Sequence, residues 1–242
     1  MKYPIILNNS PNYDERPHGA VVDKIIIHYT GMLTAEDALN KMCDNSPEAK
    51  ALGRVSAHYM IDEEGKIFAL VDERDRAWHA GLSFWQGQIN INDTSIGIEL
   101  VNPGHEHGYK PFPRAQMHAL AELGQSICKR NPIRPEFVLG HSDIAPGRKV
   151  DPGEKFGWRF LARKGVGYWP EAESEDYARA QFYLSSPTAL RYALLKFGYN
   201  PDVDINVIAR SFNMHYGLTD SEEISWETAA SLSWLCRKML KD

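Results

Sequence analysis

Cysteine is scarce in this chain of 242 residues: Cys43, Cys128 and Cys236 are an odd number and show no CxxC spacing. A disulfide framework and a cysteine-rich structural zinc site are thereby excluded, and the three thiols are expected to be free. Excess charge of one sign is lacking too. With 27 Lys plus Arg against 32 Asp plus Glu, the formal net charge is −5, which provides no global attraction to nucleic acid or to an anionic membrane. No stretch approaches the ~20 apolar residues of a membrane span. The opening segment Met1-Lys2-Tyr3-Pro4-Ile5-Ile6-Leu7-Asn8 lacks the apolar run of roughly 7–15 residues that a secretory signal needs. What is present, 43% hydrophobic and 24% charged residues, is ordinary globular composition. At about 150 residues per domain, the length suits one main domain and a smaller one.

Short apolar runs set the order of elements. Ile25-Ile26-Ile27, after a polar segment with Pro11 and Pro17, reads as a buried strand. Thr34 stands three residues before Asp37 and ahead of Ala38, Leu39 and Met42. That is the form of an N-cap with an acidic first turn, and it predicts a helix of about 10 residues. Ser56 to Ile61 and Lys66 to Val71 flank Asp62-Glu63-Glu64-Gly65, a hairpin signal. Ile96 to Val101 is the next strand, stopped by Pro103-Gly104. Pro113 opens a helix with Met117, Leu120, Leu123 and Ile127 on one stripe. Phe137-Val138-Leu139 is a last short strand leading into His141.

Near Glu171 the character changes. Glu171-Ala172-Glu173-Ser174-Glu175-Asp176 is acidic and polar and reads as a linker. Three helical patterns follow, over Pro187 to Phe197, Val203 to Tyr216 and Ile224 to Leu240. The expectation is an α/β fold: a mixed central sheet flanked by helices over residues 1–170, then a small three-helix C-terminal domain over residues 171–242.

The chemistry gathers where strands end. His28 closes the first strand and His141 follows the last, with Asp151 ten residues further on. Side chains just past the ends of strands tend to line clefts. Two imidazoles and a carboxylate form a three-ligand zinc set with a fourth position left for water; the alternative is that each histidine is simply hydrogen-bonded and partly buried. Glu99 lies inside an apolar strand, on the face of Gly97 and Val101 and opposite Ile96, Ile98 and Leu100. If buried, its carboxyl has the raised pKa of a general base; if that face is solvated, it is an exposed strand residue. Lys149 is either an oxyanion partner or a loop lysine in water. Trp78 and Trp85, in an aromatic-rich loop, are either core or a stacking surface for sugar or peptide.

Five motifs in sequence order add a resemblance. They are Ile27-His28-Tyr29-Thr30, Val55-Ser56-Ala57-His58-Tyr59, Ala77-Trp78-His79-Ala80-Gly81, the run from Asn92 to Glu99, and the run from Gly140 to Gly153. Together they resemble the zinc-dependent N-acetylmuramoyl-L-alanine amidases of the type 2 amidase and peptidoglycan-recognition-protein superfamily, from about Val22 to Pro170. The resemblance implies a Zn2+ cofactor on His28, His141 and Asp151, catalysis by Glu99, and Lys149 assisting at the oxyanion. Trp78, His79, His58, Arg148 and Asn92 are then candidate substrate contacts, with His58 and His79 equally suited to orient a ligating imidazole.

The implied substrate is peptidoglycan or a muropeptide, cut between the lactyl group of ordinary or 1,6-anhydro N-acetylmuramic acid and L-alanine. Neither nucleic acid nor a membrane span is expected, and a monomer is the default. The tail, with Val207 to Tyr216, looks like a helical peptidoglycan-binding module, a layout closer to the envelope branch than to the compact cytosolic one. Compartment is read two ways: the missing signal favours the cytoplasm, the tail the periplasm or cell envelope. Two competing readings stand beside the amidase: a recognition protein that binds peptidoglycan without cutting it, and a zinc peptidase acting within the stem peptide.

Overall fold

The computed structural model describes residues 3–239. In chain order its strands are β1 (Ile5–Leu7), β2 (Tyr13–Glu15), β3 (Lys24–Tyr29), β4 (Tyr59–Ile61), β5 (Ile67–Ala69), β6 (Asp75–Ala77), β7 (Phe84–Trp85), β8 (Gln88–Ile89), β9 (Ser95–Leu100) and β10 (Val138–Gly140). Its helices are α1 (Ala35–Cys43), α2 (Pro47–Leu52), α3 (Arg114–Arg130), α4 (His141–Ile144), α5 (Trp158–Arg163), α6 (Ser174–Ser185), α7 (Pro187–Phe197), α8 (Ile205–Phe212) and α9 (Trp226–Met239).

Six strands make one mixed sheet in the order β1-β5-β4-β9-β3-β10. The neighbours β4, β9, β3 and β10 run parallel, while β4 and β5 are the antiparallel hairpin that Gly65 closes at a φ of 84°. Period-two alternation divides the sheet into two faces. Ile25, Ile27, Ile96, Ile98 and Leu100 face α3 and α5, packing on Met117, Leu120, Leu123, Ile127, Trp158 and Leu161. Thr34 caps α1 as its spacing predicts, its side chain accepting from the Asp37 N–H, and the helix runs nine residues. The opposite face of the sheet begins apolar, at Ile26 and Leu139, and becomes polar further along.

The tail covers the apolar part of that second face. Ile26, Ala80, Trp85, Ile91, Leu139 and Ile144 share one core with Leu194, Phe197, Tyr199, Ile208, Phe212, Trp234 and Leu235. The mixed α/β architecture is as expected, but the acidic stretch is not a solvated linker. α6 starts within it at Ser174, and Asp176 is wholly buried. Its carboxylate accepts from the Glu173 N–H (3.0 Å), Ser233 Oγ (3.0 Å) and Arg237 Nη2 (2.7 Å). Acidic residues in a first turn are helix-start chemistry as much as linker chemistry, and the partner, Arg237, is too distant in sequence to reveal which applies. The tail therefore has four helices among the described residues, α6 in addition to the three patterns. The second pattern is α8 continued by a π turn over Asn213–Gly217. Leu240, assigned to the last pattern, lies outside the described residues.

Trp85 joins the two parts. It is fully buried, with its ring centroid 5.4 Å from that of Phe197 and 5.1 Å from that of Tyr199. Trp85→Ala is expected to cost about 3–5 kcal/mol, read as a lowered midpoint in a single urea transition shared by both parts. Two separate transitions in the unmodified protein would show that the tail folds independently.

Candidate active site

Each site side chain has a local reason for its place. In β3, Ile26 and His28 alternate onto the second face, and the parallel register with β9 sets His28 directly beside Glu99. β10 pairs with β3 on its other side, Gly140 opposite Ile27, so the next residue, His141, emerges next to His28 as the first residue of α4. The chain then turns over Ala145 to Lys149, both Arg148 N–H and Lys149 N–H donating to the Ala145 carbonyl, and returns so that Ser142 N–H donates to Asp151 O at 2.9 Å. A Cβ on Gly140 would lie 2.8 Å from Pro152 Cδ, so this return requires glycine there.

The three side chains converge. His28 Nδ1 and His141 Nδ1 are 2.9 Å apart, and each is 3.1 Å from Asp151 Oδ2. Among the described residues this is the group able to hold a metal ion, and the triangle is close to the spacing of three donors around an ion with metal–nitrogen distances of about 2.0–2.1 Å. The outer nitrogens are engaged elsewhere: His28 Nε2 lies 3.0 Å from His79 Nδ1, and His141 Nε2 lies 3.0 Å from the Ala80 carbonyl. Both Nδ1 atoms are thus left for the centre of the triangle. Burial, then the neighbouring His141, lowers the His28 pKa to about 4, so the imidazole is neutral at pH 7 and able to ligate. Burial works to raise the Asp151 pKa, but the two imidazoles more than offset it and hold the carboxyl well below its ordinary range. The donor set fits a divalent ion.

Glu99 is the unpaired acid of the site. Its Oε2 is buried with no hydrogen-bond partner, and burial, reinforced by Asp151 and opposed by Lys149, raises its pKa to about 8. The residue is half-buried at the cavity wall rather than an exposed strand residue.

The other expected residues divide. His79 and Arg148 line the cavity with Lys149, whereas His58, Asn92 and Trp78 do not. His58 is a buried backbone tie, its Nδ1 accepting from the Gly97 N–H at 3.0 Å. Asn92 Oδ1 accepts from the N–H groups of His79 (3.1 Å) and Ala80 (2.8 Å). Trp78 donates from Nε1 to Asp14 Oδ1 and lies under Arg54. The Arg148 guanidinium binds the carbonyls of Ala80 and Leu82, fastening the His79 loop to the turn before Asp151. Sequence reasoning missed the opposite rim. Tyr29 and His105 line the cavity, with Tyr29 OH 3.0 Å from His105 Nδ1, and Glu154 holding His105 Nε2 at 3.1 Å. The available signal was that His105, like His141, follows the end of a strand.

A family model described as N-acetylmuramoyl-L-alanine amidase matches residues 18–154. The chain belongs to this amidase family. It is 36% identical to N-acetylmuramoyl-L-alanine amidase AmiD of Escherichia coli, over 90% of this chain and 83% of that one. It is 38% identical to 1,6-anhydro-N-acetylmuramyl-L-alanine amidase AmpD of Haemophilus influenzae, over 63% of this chain and 88% of the relative. Among solved structures, the Escherichia coli AmiD complex with anhydro-N-acetylmuramic acid-L-Ala-D-gamma-Glu-L-Lys superposes with a TM-score of 0.78 at 34% identity, covering 94% of each chain.

In this member of the amidase family the possible metal site and Glu99 open into one cavity of about 560 Å³, walled on the far side by residues 103–107 and by Met32, Lys41 and Met42. That volume is within the roughly 300–1,000 Å³ of small-molecule sites. Because the folded-state pKa of Glu99 lies near 8, above its ordinary 4.5, the folded protein holds this proton more tightly than the unfolded chain does. The resulting stability is fully present below about pH 4.5 and lost as pH rises through 8. In metal-free protein, Glu99→Gln is expected to flatten this loss, so that between pH 5 and 8 the wild-type Tm falls about 3 °C or more further than that of the variant. Parallel Tm profiles would show that Glu99 is not held protonated.

Proposed function

We propose that the protein hydrolyses the amide joining the lactyl group of N-acetylmuramic acid, or of its 1,6-anhydro form, to L-alanine of the stem peptide, with zinc on His28, His141 and Asp151. The observation that carries this reading is the convergence of three donor atoms, within 3.1 Å of one another, beside a half-buried carboxyl whose Oε2 is enclosed and whose pKa is raised. The relative AmiD was solved with a ligand that contains this bond. Residues 1–170 are assigned to catalysis and residues 171–242 to a helical, peptidoglycan-binding-like module.

Zinc at such a site supplies Lewis acidity, lowering the pKa of water from 15.7 to about 7. The residues do the rest. Glu99, with no hydrogen bond to restrain its Oε2, takes the proton of the water that attacks the lactyl carbonyl. Lys149, on the same cavity wall, places an ammonium where negative charge develops on the carbonyl oxygen. Glu99 then returns the proton to the leaving L-alanine nitrogen, which departs poorly as an anion. One carboxyl therefore serves as base and then as acid. Of the five candidate contacts, Arg148 and His79 are at the wall of this cavity, which supports them first.

The decisive assay is mass spectrometry of a purified disaccharide-tetrapeptide after incubation, with and without a zinc chelator. Free tetrapeptide with an L-alanine amino terminus, abolished by chelation, is the expected product. An uncut muropeptide despite measured zinc occupancy identifies a recognition protein, and a cut inside the peptide identifies a peptidase. Glu99→Ala is expected to retain zinc and lose about 10²–10⁴-fold in turnover, whereas Asp151→Ala should lower zinc content itself, measured by elemental analysis.

A further inference from the structure

The run from Ile91 to Gly97 does something that neither ligation nor acid–base chemistry explains: it encloses His79. The Asn92 amide, the Ser95 hydroxyl and the bare backbone of Gly97 all lie against that one residue, and the Ile91 carbonyl holds the Ser95 hydroxyl. A Cβ on Gly97 would sit 2.4 Å from His79 Cγ, so the imidazole packs flat where no other residue would admit it. His79 contributes no atom to the triangle of possible ligands; its Nδ1 reaches only as far as His28 Nε2, at 3.0 Å.

The proton positions along this chain of contacts are determined from its far end. Ser95 Oγ lies 2.6 Å from the Ile91 carbonyl oxygen, which can only accept, so the hydroxyl proton points there. Ser95 Oγ then has only lone pairs to offer His79 Nε2 at 3.2 Å, and His79 must carry its proton on Nε2. Its Nδ1 is in turn an acceptor, and the only proton available between it and His28 is on His28 Nε2. His28 Nδ1 is left as a bare lone pair aimed at the triangle.

We propose that Ser95 and His79 are positioning residues that fix the tautomer of His28 through the relay Ile91 C=O, Ser95, His79, His28, so that its Nδ1 is ready to ligate before any metal arrives. The inference rests on the metal reading of the site given above. Orienting partners of this kind change metal affinity by about 10–100-fold. Without the relay, His28 can place its proton on Nδ1 and donate it to Asp151 Oδ2, 3.1 Å away, closing the site with a proton in the metal's place.

The test is long-range 15N–1H NMR of metal-free protein at pH 7.5, with chelator-competition titration of Zn2+ on the same samples. His28 and His79 are both expected as neutral Nε2–H tautomers in the wild type. Ser95→Ala is expected to mix the tautomers of both rings and weaken Zn2+ binding about 10-fold or more, and Ser95→Thr, which keeps the hydroxyl, should restore both readouts. A wild-type His28 protonated on Nδ1 overturns the relay even if no variant folds, as does a Ser95→Ala variant with unchanged tautomers and unchanged Zn2+ affinity. Failure of the wild type to bind Zn2+ at all would instead overturn the metal assignment, while the NMR spectra still decide the relay.

Discussion

The site depends first on the register between β3 and β9. Parallel pairing sets His28 against Glu99, with Ile27 against Ile98 on the other face. A slip of β3 by one residue would turn each of its side chains to the opposite face, putting the His28 imidazole under α3 and Ile25 and Ile27 onto the side of the site. β9 is therefore held from both of its edges. The apolar layer against α3 holds it energetically, and on the other edge of β9 His58 fixes that strand against β4, accepting from Gly97 N–H on Nδ1 while its own N–H donates to the Gly97 carbonyl. His58 acts on chemistry it never touches by fixing the strand on which Glu99 and Gly97 sit.

Collecting buried polar groups is costly unless they find partners, and the tail supplies some of them. Asp143, two residues after His141, is buried and accepts from the Gly140 N–H (2.7 Å), Tyr199 OH (2.8 Å) and His215 Nδ1 (2.7 Å). His215 stacks on Trp158 with ring centroids 3.7 Å apart. Tyr199 and His215 both belong to the tail, so the short helix that presents His141 is braced by residues far beyond the match to the family model. The tail is a structural support of the site in addition to any contact it makes with a cell-wall fragment.

Much of this was legible in the sequence. Ile25 to Ile27 marked a central strand, Gly65 the hairpin and Thr34 a helix start, because local patterns have local causes. The convergence of His28, His141 and Asp151 and the place of Glu99 beside them could be anticipated, because strand-end histidines and a carboxyl in an apolar strand are anomalies that folding must accommodate. Less legible was anything decided by long-range partners. Asp176 looks like linker until Arg237, sixty-one positions away, closes on it. Asn92 and His58, expected at the substrate, bond backbone groups of the neighbouring strand and loop, partners that the sequence does not reveal because polar residues of one motif resemble one another whichever way they face.

The direction of the strands explains why the cavity lies where it does. β4, β9, β3 and β10 all run the same way, so their carboxyl ends open on one edge of the sheet, and ligands in open α/β sheets bind outside those ends. β3 changes along its length from Ile26, beneath the tail, to His28, against His141 and Asp151 at the cavity, and β10 passes from Leu139 to His141 in the same sense. The second face thus carries an apolar half for the tail and a polar half for chemistry. The antiparallel strand β5 ends toward the opposite edge, and neither it nor β1, its parallel neighbour, brings a residue to the cavity wall. Of the six strands, the central pair β3 and β9 bring Tyr29 and Glu99 to that wall, and the rest position the loops around them.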